Sequence, residues 1–236
     1  METWLEWARG PAFRVSIVIM FLGLARVFAL NTISIAILVR RAKKNQRKVS
    51  YGSIAVATLK WMFPFKKTFE RRALFSITSL VFHVAIIVTP VFLGAHILLW
   101  ERGLGFVWPA VSNAVADVLT VIGIVAGLAI FIQRLGARSS RAISRLQDYL
   151  WPLLITTVFA SGFLAMHPTL NPLSYQAAML VHVISGDLIL VLIPFSKLSH
   201  IALFPATQIV SDLGWYLRPG ADRNVALTLG KENEPI

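Results

Sequence analysis

The stretch that decides the fold is residues 178–205, AMLVHVISGDLILVLIPFSKLSHIALFP, near the end of the 236-residue chain. Its apolar pattern predicts one long helix that carries two histidines, His182 and His200. These lie 18 positions apart, which is five turns of an α-helix, so both imidazoles are expected to face the same neighbour. At about 1.5 Å rise per residue the rings are about 27 Å apart, close to the hydrocarbon thickness of a bilayer. We therefore expect one ring near each membrane face.

The composition of the whole chain is typical of an integral membrane protein. Hydrophobic residues make up 56% of it, the mean hydropathy is +0.69, and several apolar runs are long enough to span a bilayer. The absence of cysteine excludes disulfides, iron–sulfur ligation by this chain and covalently attached haem. The predicted fold is an all-α bundle of five transmembrane helices in residues 1–205, followed by a cytoplasmic tail, 206–236. The predicted spans cover residues 11–39, 73–100, 109–133, 149–166 and 175–198.

Basic residues fall on one side of that bundle. Of the 23 lysines and arginines, 19 lie in the connections 40–72 and 134–148 and in the segment after residue 196. The positive-inside bias makes this side cytoplasmic, with the N-terminus outside, for a multi-pass protein of the cell (inner) membrane. The net charge of +12 could indicate a nucleic-acid or anionic-lipid patch. We favour ordinary topogenic charge beside lipid headgroups and expect no nucleic acid. Residues 53–65, SIAVATLKWMFPF, are predicted to form a short interfacial helix on the inner face.

Two further histidines, His83 and His96, lie on the second predicted span. They are 13 positions apart, or about 20 Å of helical rise. Because the second and fifth spans run in opposite directions, depth matches His83 with His200 near the inner face and His96 with His182 near the outer face. Two facing imidazoles at each of two levels would ligate two six-coordinate haem irons. Any one of these histidines could instead hydrogen-bond a neighbouring carbonyl.

Small and charged residues within the spans have more than one interpretation. Gly186, one turn after His182, and Gly94, two residues before His96, leave room for a porphyrin, whereas Gly123 and Gly127 leave room for a porphyrin or for close helix packing. Arg26 could pair with a haem propionate or extend to the headgroups. Asp117 and Asp187 could relay protons, hold a ligand histidine or be buried neutral acids.

Residues 182–205, HVISGDLILVLIPFSKLSHIALFP, resemble the last helix of the membrane cytochrome b (gamma) subunit of respiratory nitrate reductases. The likeness consists of a histidine, a glycine one turn on, a Pro-Phe-Ser-basic-Leu segment, a His-Ile pair and a final proline. The FHV run at 82–84 and RAISRLQDYLWPLLITTVFASGFL at 141–164 are similar as well. The same family includes membrane cytochromes linked to sulfite reductase and to heterodisulfide reductase.

This resemblance implies a subunit with two b-type haems, an electron-transfer component of a larger enzyme. It implies that His83 and His200 ligate the inner haem and that His96 and His182 ligate the outer one, which are the same pairs that depth gives. It also implies oxidation of quinol from the membrane quinone pool near the outer face. Electrons would then pass through the outer and inner haems to a cytoplasmic iron–sulfur protein and catalytic subunit.

The candidate quinol-site residues are His96, His167 and Glu101. His167 and Glu101 lie in predicted outer connections, where they could accept protons or be solvated loop residues. In the resembled family the second-span histidines are about one turn closer together, with no proline between them. We expect Pro90 to kink or rewind the helix so that His96 faces the same way as His83.

Two other classes of membrane protein fit parts of this pattern. One is a haem-free membrane anchor or proton-linked transporter, whose histidines hydrogen-bond or carry protons. The other is the cytochrome b of a hydrogenase or formate dehydrogenase, which also holds haem b but differs in its histidine pattern. Membrane lipids are partners in all of these cases.

Overall fold

In a computed structural model, which describes residues 1–44, 50–62, 65–217, 227–228 and 230, the chain consists of helices and the loops that join them. Within those ranges there is no β-strand. Five described helices are long and apolar enough to cross a membrane: Glu2–Arg41, Ala73–Phe92, Asn113–Gly136, Leu146–Met166 and Tyr175–Phe195. The predicted all-α fold with five spanning helices is confirmed.

We number the α-helices in chain order. They are α1 (Glu2–Trp7), α2 (Phe13–Lys44), α3 (Tyr51–Met62), α4 (Phe65–Phe92), α5 (Gly94–Leu104), α6 (Asn113–Gly136), α7 (Arg138–Ile143), α8 (Leu146–Met166), α9 (Tyr175–Leu192) and α10 (His200–Leu217). A π-helical turn, Ala8–Ala12, joins α1 to α2, so helical structure starts well before the predicted residue 11. Pro11 lies in that turn, where its missing N–H interrupts the regular hydrogen-bond ladder.

The chain divides into two compact units, and the first comprises Met1–Ile19 and Lys66–Leu192. In this unit α8 packs against both α6 and α9. Glycines bring α6 close to its neighbours, since a Cβ built on Gly123 would lie 3.0 Å from the Phe159 ring. The space beside Gly127 is likewise filled, by Thr156 and Phe82. Of their two interpretations, close helix packing is therefore the one that applies to these glycines.

The second unit comprises Met20–Phe65 and Ile193–Ile236. In it α3 packs against α10, and both helices contribute buried side chains. The helix predicted for residues 53–65 is present as Tyr51–Met62, while residues 63–64 lie outside the described part. Helix α10 continues through the predicted domain end at residue 205 as far as Leu217. Most of the predicted tail beyond it, and residues 45–49 of the basic connection, are also outside the described residues.

The fifth span is not one continuous helix to residue 198, and this prediction was wrong. Helix α9 ends at Leu192, and two 3₁₀ turns, Ile193–Phe195 and Lys197–Ser199, precede α10. Pro194 cannot supply the N–H that a regular helix needs, and Ser196 between the turns has an extended backbone. The Ser196 hydroxyl accepts a hydrogen bond from the Leu198 N–H at 3.2 Å, which caps the second turn. His182 and His200 therefore lie on separate helices.

The second span is also interrupted, so the expectation of a single kinked helix through Pro90 was wrong. Pro90 lies inside α4, but the helix ends at Phe92 and Leu93 is extended, with φ −71° and ψ 125°. Proline removes one hydrogen bond of the ladder, and the next residue after the break, Gly94, is a weak helix former. His83 is consequently on α4 and His96 is on α5.

Candidate functional site

The break at Leu93 determines where the His96 imidazole lies. The last four carbonyls of a helix have no partner within the helix and need donors from elsewhere. At the end of α4 each carbonyl has one: Thr89 from the Leu93 N–H (3.0 Å), Pro90 from His96 Nδ1 (3.0 Å), Val91 from Trp108 Nε1 (2.8 Å) and Phe92 from the Val111 N–H (3.0 Å). The imidazole of His96 is thus held as part of a helix terminus.

His182 is positioned by the neighbouring helix α8. Its Nδ1 donates to the Val158 carbonyl at 2.8 Å. One turn further along α8 is Gly162, where a Cβ would lie 2.8 Å from both Nδ1 and Cε1 of His182. That separation is shorter than an ordinary van der Waals contact. A glycine is therefore required at position 162 for the imidazole to reach its carbonyl partner.

The structure brings His96 and His182 together. Their ring centroids are 6.0 Å apart and the ring planes differ by 13°. Two imidazoles on opposite sides of one iron would have centroids about 6.2 Å apart, from a metal–nitrogen bond of about 2.0 Å and about 1.1 Å from nitrogen to ring centre. The observed separation matches that distance, but the two rings are stacked, so ligation of one iron would require at least one ring to turn. The sequence matched these two histidines by depth alone.

The hydrogen bonds define which ring nitrogen is available. A carbonyl oxygen only accepts, so Nδ1 carries the proton in both His96 and His182, and Nε2 keeps its lone pair. Metal-binding histidines typically donate their second ring nitrogen to a carbonyl in this way. Hydrogen bonding to a carbonyl and metal ligation, which the sequence offered as alternatives, are therefore compatible at these two residues.

His83 and His200 belong to different compact units of the chain. On α4, the Nδ1 of His83 donates to the Ser79 carbonyl at 2.7 Å, and its ring makes an edge contact with Phe82. At the start of α10, the Nδ1 of His200 donates to the Lys197 carbonyl at 2.8 Å. Both side chains are exposed within their units. Each has the same protonated Nδ1 as His96 and His182.

Other predicted site residues have distinct surroundings. A Cβ built on Gly186 would meet no atom within 4 Å, so this position of α9 adjoins open space. Arg26, in the second unit, and Glu101, near the end of α5, are exposed. Asp187 is buried, and neither of its carboxylate oxygens has a hydrogen-bond partner. This surrounding fits the buried-acid interpretation of Asp187.

One pairing was not predicted from the sequence. His167 Nε2, at the end of α8, lies 3.4 Å from Asp117 Oδ2 on α6. A signal for it existed, because both residues were placed at the outer ends of consecutive spans. Neither residue type nor spacing, however, indicated that these two side chains would meet.

No cluster of three or more His, Cys, Asp or Glu side chains that could hold a metal ion occurs in the described ranges. A haem requires fewer protein ligands than a bare ion, because the porphyrin supplies four nitrogens and the protein supplies one or two axial groups.

A protein of Nitratidesulfovibrio vulgaris (strain Hildenborough) is 32% identical to this chain over 197 residues, which cover 83% of the chain and 86% of that protein. The chain belongs to the same family as this protein. The relative is described only as "Protein", so the family relationship brings no activity with it. No protein-family model matches the chain. No solved structure matches it.

Proposed function

We propose that the chain is the dihaem b membrane subunit of a quinol-linked respiratory oxidoreductase complex. The observation that carries this proposal is the proximity of the His96 and His182 imidazoles, whose centroids are 6.0 Å apart and whose Nδ1 atoms both donate to a carbonyl. The resemblance of residues 182–205 to the nitrate reductase gamma family supports it independently.

In this proposal His96 and His182 hold the outer haem, and His83 and His200 hold the inner one. A bound haem iron accepts and releases one electron at a time. The protein's task is to orient the ligands. The Pro90 and Val158 carbonyls fix the rings of His96 and His182 and leave Nε2 unprotonated.

Two further residues complete the proposed haem sites. The open space beside Gly186 accommodates the edge of the outer porphyrin, because no side chain occupies it. Arg26 is proposed to pair with a propionate of the inner haem. The outer quinol site is proposed to include His96, His167 and Glu101.

The proposed direction of electron flow, from quinol toward the cytoplasm, is the one that the family resemblance implies. The basic connections place the N-terminus outside and the C-terminus in the cytoplasm of a cell membrane. Quinol would be oxidised near the outer face, and electrons would leave at the inner face. Since the chain has no cysteine, the iron–sulfur clusters that receive them must belong to a partner protein beside the catalytic subunit.

The test is the visible spectrum and haem content of the purified protein. We expect two low-spin b-type haems per chain. His182→Ala should lose the outer haem and keep the inner one, whereas His200→Ala should do the reverse. His167→Ala is the matched control, since it removes a histidine with the same Nδ1–carbonyl bond (2.8 Å to Phe163) and should keep both haems. A folded but colourless protein would refute the proposal and leave the haem-free anchor or transporter.

A further inference from the structure

The groove between α6 and α8 brings together Asp117 and His167, which the sequence singled out separately but did not pair. It has a volume of about 320 Å³ and is lined by Val118, Val121 and Ile122 of α6, by Phe163 and His167 of the α8 end, and by Asp117. The groove is shallow and open on one side, so it would cover one face of a ligand rather than enclose it. Apolar walls with two convergent polar groups suit a compact ring that carries a hydroxyl.

The hydrogen bonding of His167 makes its Nε2 a base. Nδ1 donates to the Phe163 carbonyl at 2.8 Å, and the Phe163 ring stacks on the imidazole with centroids 4.0 Å apart. Nε2 lies 3.4 Å from Asp117 Oδ2. In the form of the ring that has no proton on Nε2, this nitrogen and the carboxylate are two neighbouring acceptors, to which a hydroxyl ligand can donate.

The apolar side of the groove is exposed on the surface of a membrane-spanning helix, so a molecule dissolved in the membrane can reach it. Val118 is 58% exposed and Val121 is 44% exposed, although both lie within a membrane-spanning helix. A ligand with an apolar tail can therefore reach the polar end of the groove from the lipid. His167 follows Gly162 by five residues. Along the α8 axis it therefore lies about 7.5 Å from Gly162, the residue that contacts the His182 ring.

We propose that this groove binds the quinol head group and that Asp117 and His167 together accept one of its hydroxyl protons. This inference rests on the proposed function and specifies its quinol site. The quinol O–H bond breaks, a new N–H bond forms at His167 Nε2, and the Asp117 carboxylate offsets the positive charge on the ring. Oxidation of one quinol to quinone releases two electrons and two protons. With two ferric haems bound, the two electrons would be accepted one per iron, and the second proton would pass to water at the groove mouth.

The test uses the full-length, haem-loaded protein in detergent and two near-isosteric variants, Asp117→Asn and His167→Gln. A water-soluble naphthohydroquinone is mixed with the protein in a stopped-flow instrument, and haem reduction is followed by absorbance. We expect the maximal rate to fall at least tenfold in each variant, because positioned general bases contribute about 10²–10⁴-fold. The hydroquinone concentration for half-maximal rate should change less than threefold. The double variant should be no slower than the slower single one.

Two controls separate this inference from the proposed function. Glu6→Gln makes the same chemical change on an exposed residue of α1 and should leave the rate unchanged. Dithionite, which needs no proton acceptor, should reduce the same haem content in every variant. Full dithionite reduction with unaltered hydroquinone rates in Asp117→Asn and His167→Gln would overturn the Asp117–His167 assignment alone. A wild-type protein without haem would overturn both.

Binding provides a readout that does not depend on electron transfer. Val121→Trp fills the groove and should weaken naphthohydroquinone binding at least tenfold by isothermal titration calorimetry, while haem content stays the same. Equal affinity in wild type and Val121→Trp would show that the ligand binds elsewhere, which would refute the groove.

Discussion

Gly162→Ala tests the outer site through a residue that ligates nothing. The new Cβ would lie 2.8 Å from two atoms of the His182 ring. Because ordinary carbon contacts are about 3.5–4.0 Å, the ring must move by about 1 Å. Without haem, the imidazole can rotate away from α8 at the loss of one hydrogen bond. In the haem-bound protein the iron would hold the ring in place. The steric overlap with the new Cβ would therefore destabilise the haem-bound state by about 1–3 kcal/mol. The affinity for the outer haem should then fall about 5–150-fold.

The assay is a haem titration of the purified, haem-depleted protein, followed by absorbance. The inner haem should bind with unchanged affinity in Gly162→Ala. Gly136→Ala is the matched control, because a Cβ there meets no atom within 4 Å. Equal outer-haem affinity in Gly162→Ala and Gly136→Ala, with both proteins folded, would refute the reasoning that His182 reaches its ligand through the space at Gly162.

Two further predictions concern the open side of α9 and the orientation of the chain. Gly186→Ala should lower outer-haem occupancy without destabilising the haem-free protein, since no protein atom lies within 4 Å of the added methyl and alanine favours helix by about 0.5–1 kcal/mol. Haem titration together with thermal unfolding checks this, and unchanged haem affinity would mean that position 186 faces lipid or packing space. Because the chain lacks cysteine, single-cysteine variants report topology directly. A membrane-impermeant maleimide should label Thr169→Cys on intact cells and Ser50→Cys only after permeabilisation, and the opposite pattern would invert the proposed orientation.

The transmembrane class was predictable from the sequence because it depends on local properties. Apolar runs longer than a bilayer is thick are visible in any window of the sequence, and all five have a counterpart in the structure. The predicted first and last residues of the helices were less accurate. The first helix begins at Glu2, nine residues before the predicted start. The acidic residues there lower the hydropathy of the segment, which hid the helix from a hydropathy-based prediction, but they do not prevent a helix from forming.

The outer histidine pair was predicted by an argument that was only partly sound. Depth in the membrane matched His96 with His182, and the structure places their rings 6.0 Å apart. The assumption of two uninterrupted helices behind that argument was wrong. Pro90 and Pro194 were visible signals, but hydropathy remains high across both breaks, so the pattern of apolar residues continues where the helix does not.

The sequence by itself determined that this is a helical protein with five segments able to span a membrane, and it matched His96 with His182 by depth. These properties follow from helical rise and from hydrophobicity, which each residue carries independently of its neighbours in space. Only the tertiary structure decided three contacts. Gly162 leaves space for the His182 ring, the Pro90 carbonyl accepts a hydrogen bond from His96, and Asp117 lies beside His167. Those contacts depend on the rotation and register of one helix against another. A shift of one residue in that register turns a side chain by about 100° around the helix axis, and the sequence of a single helix does not specify it.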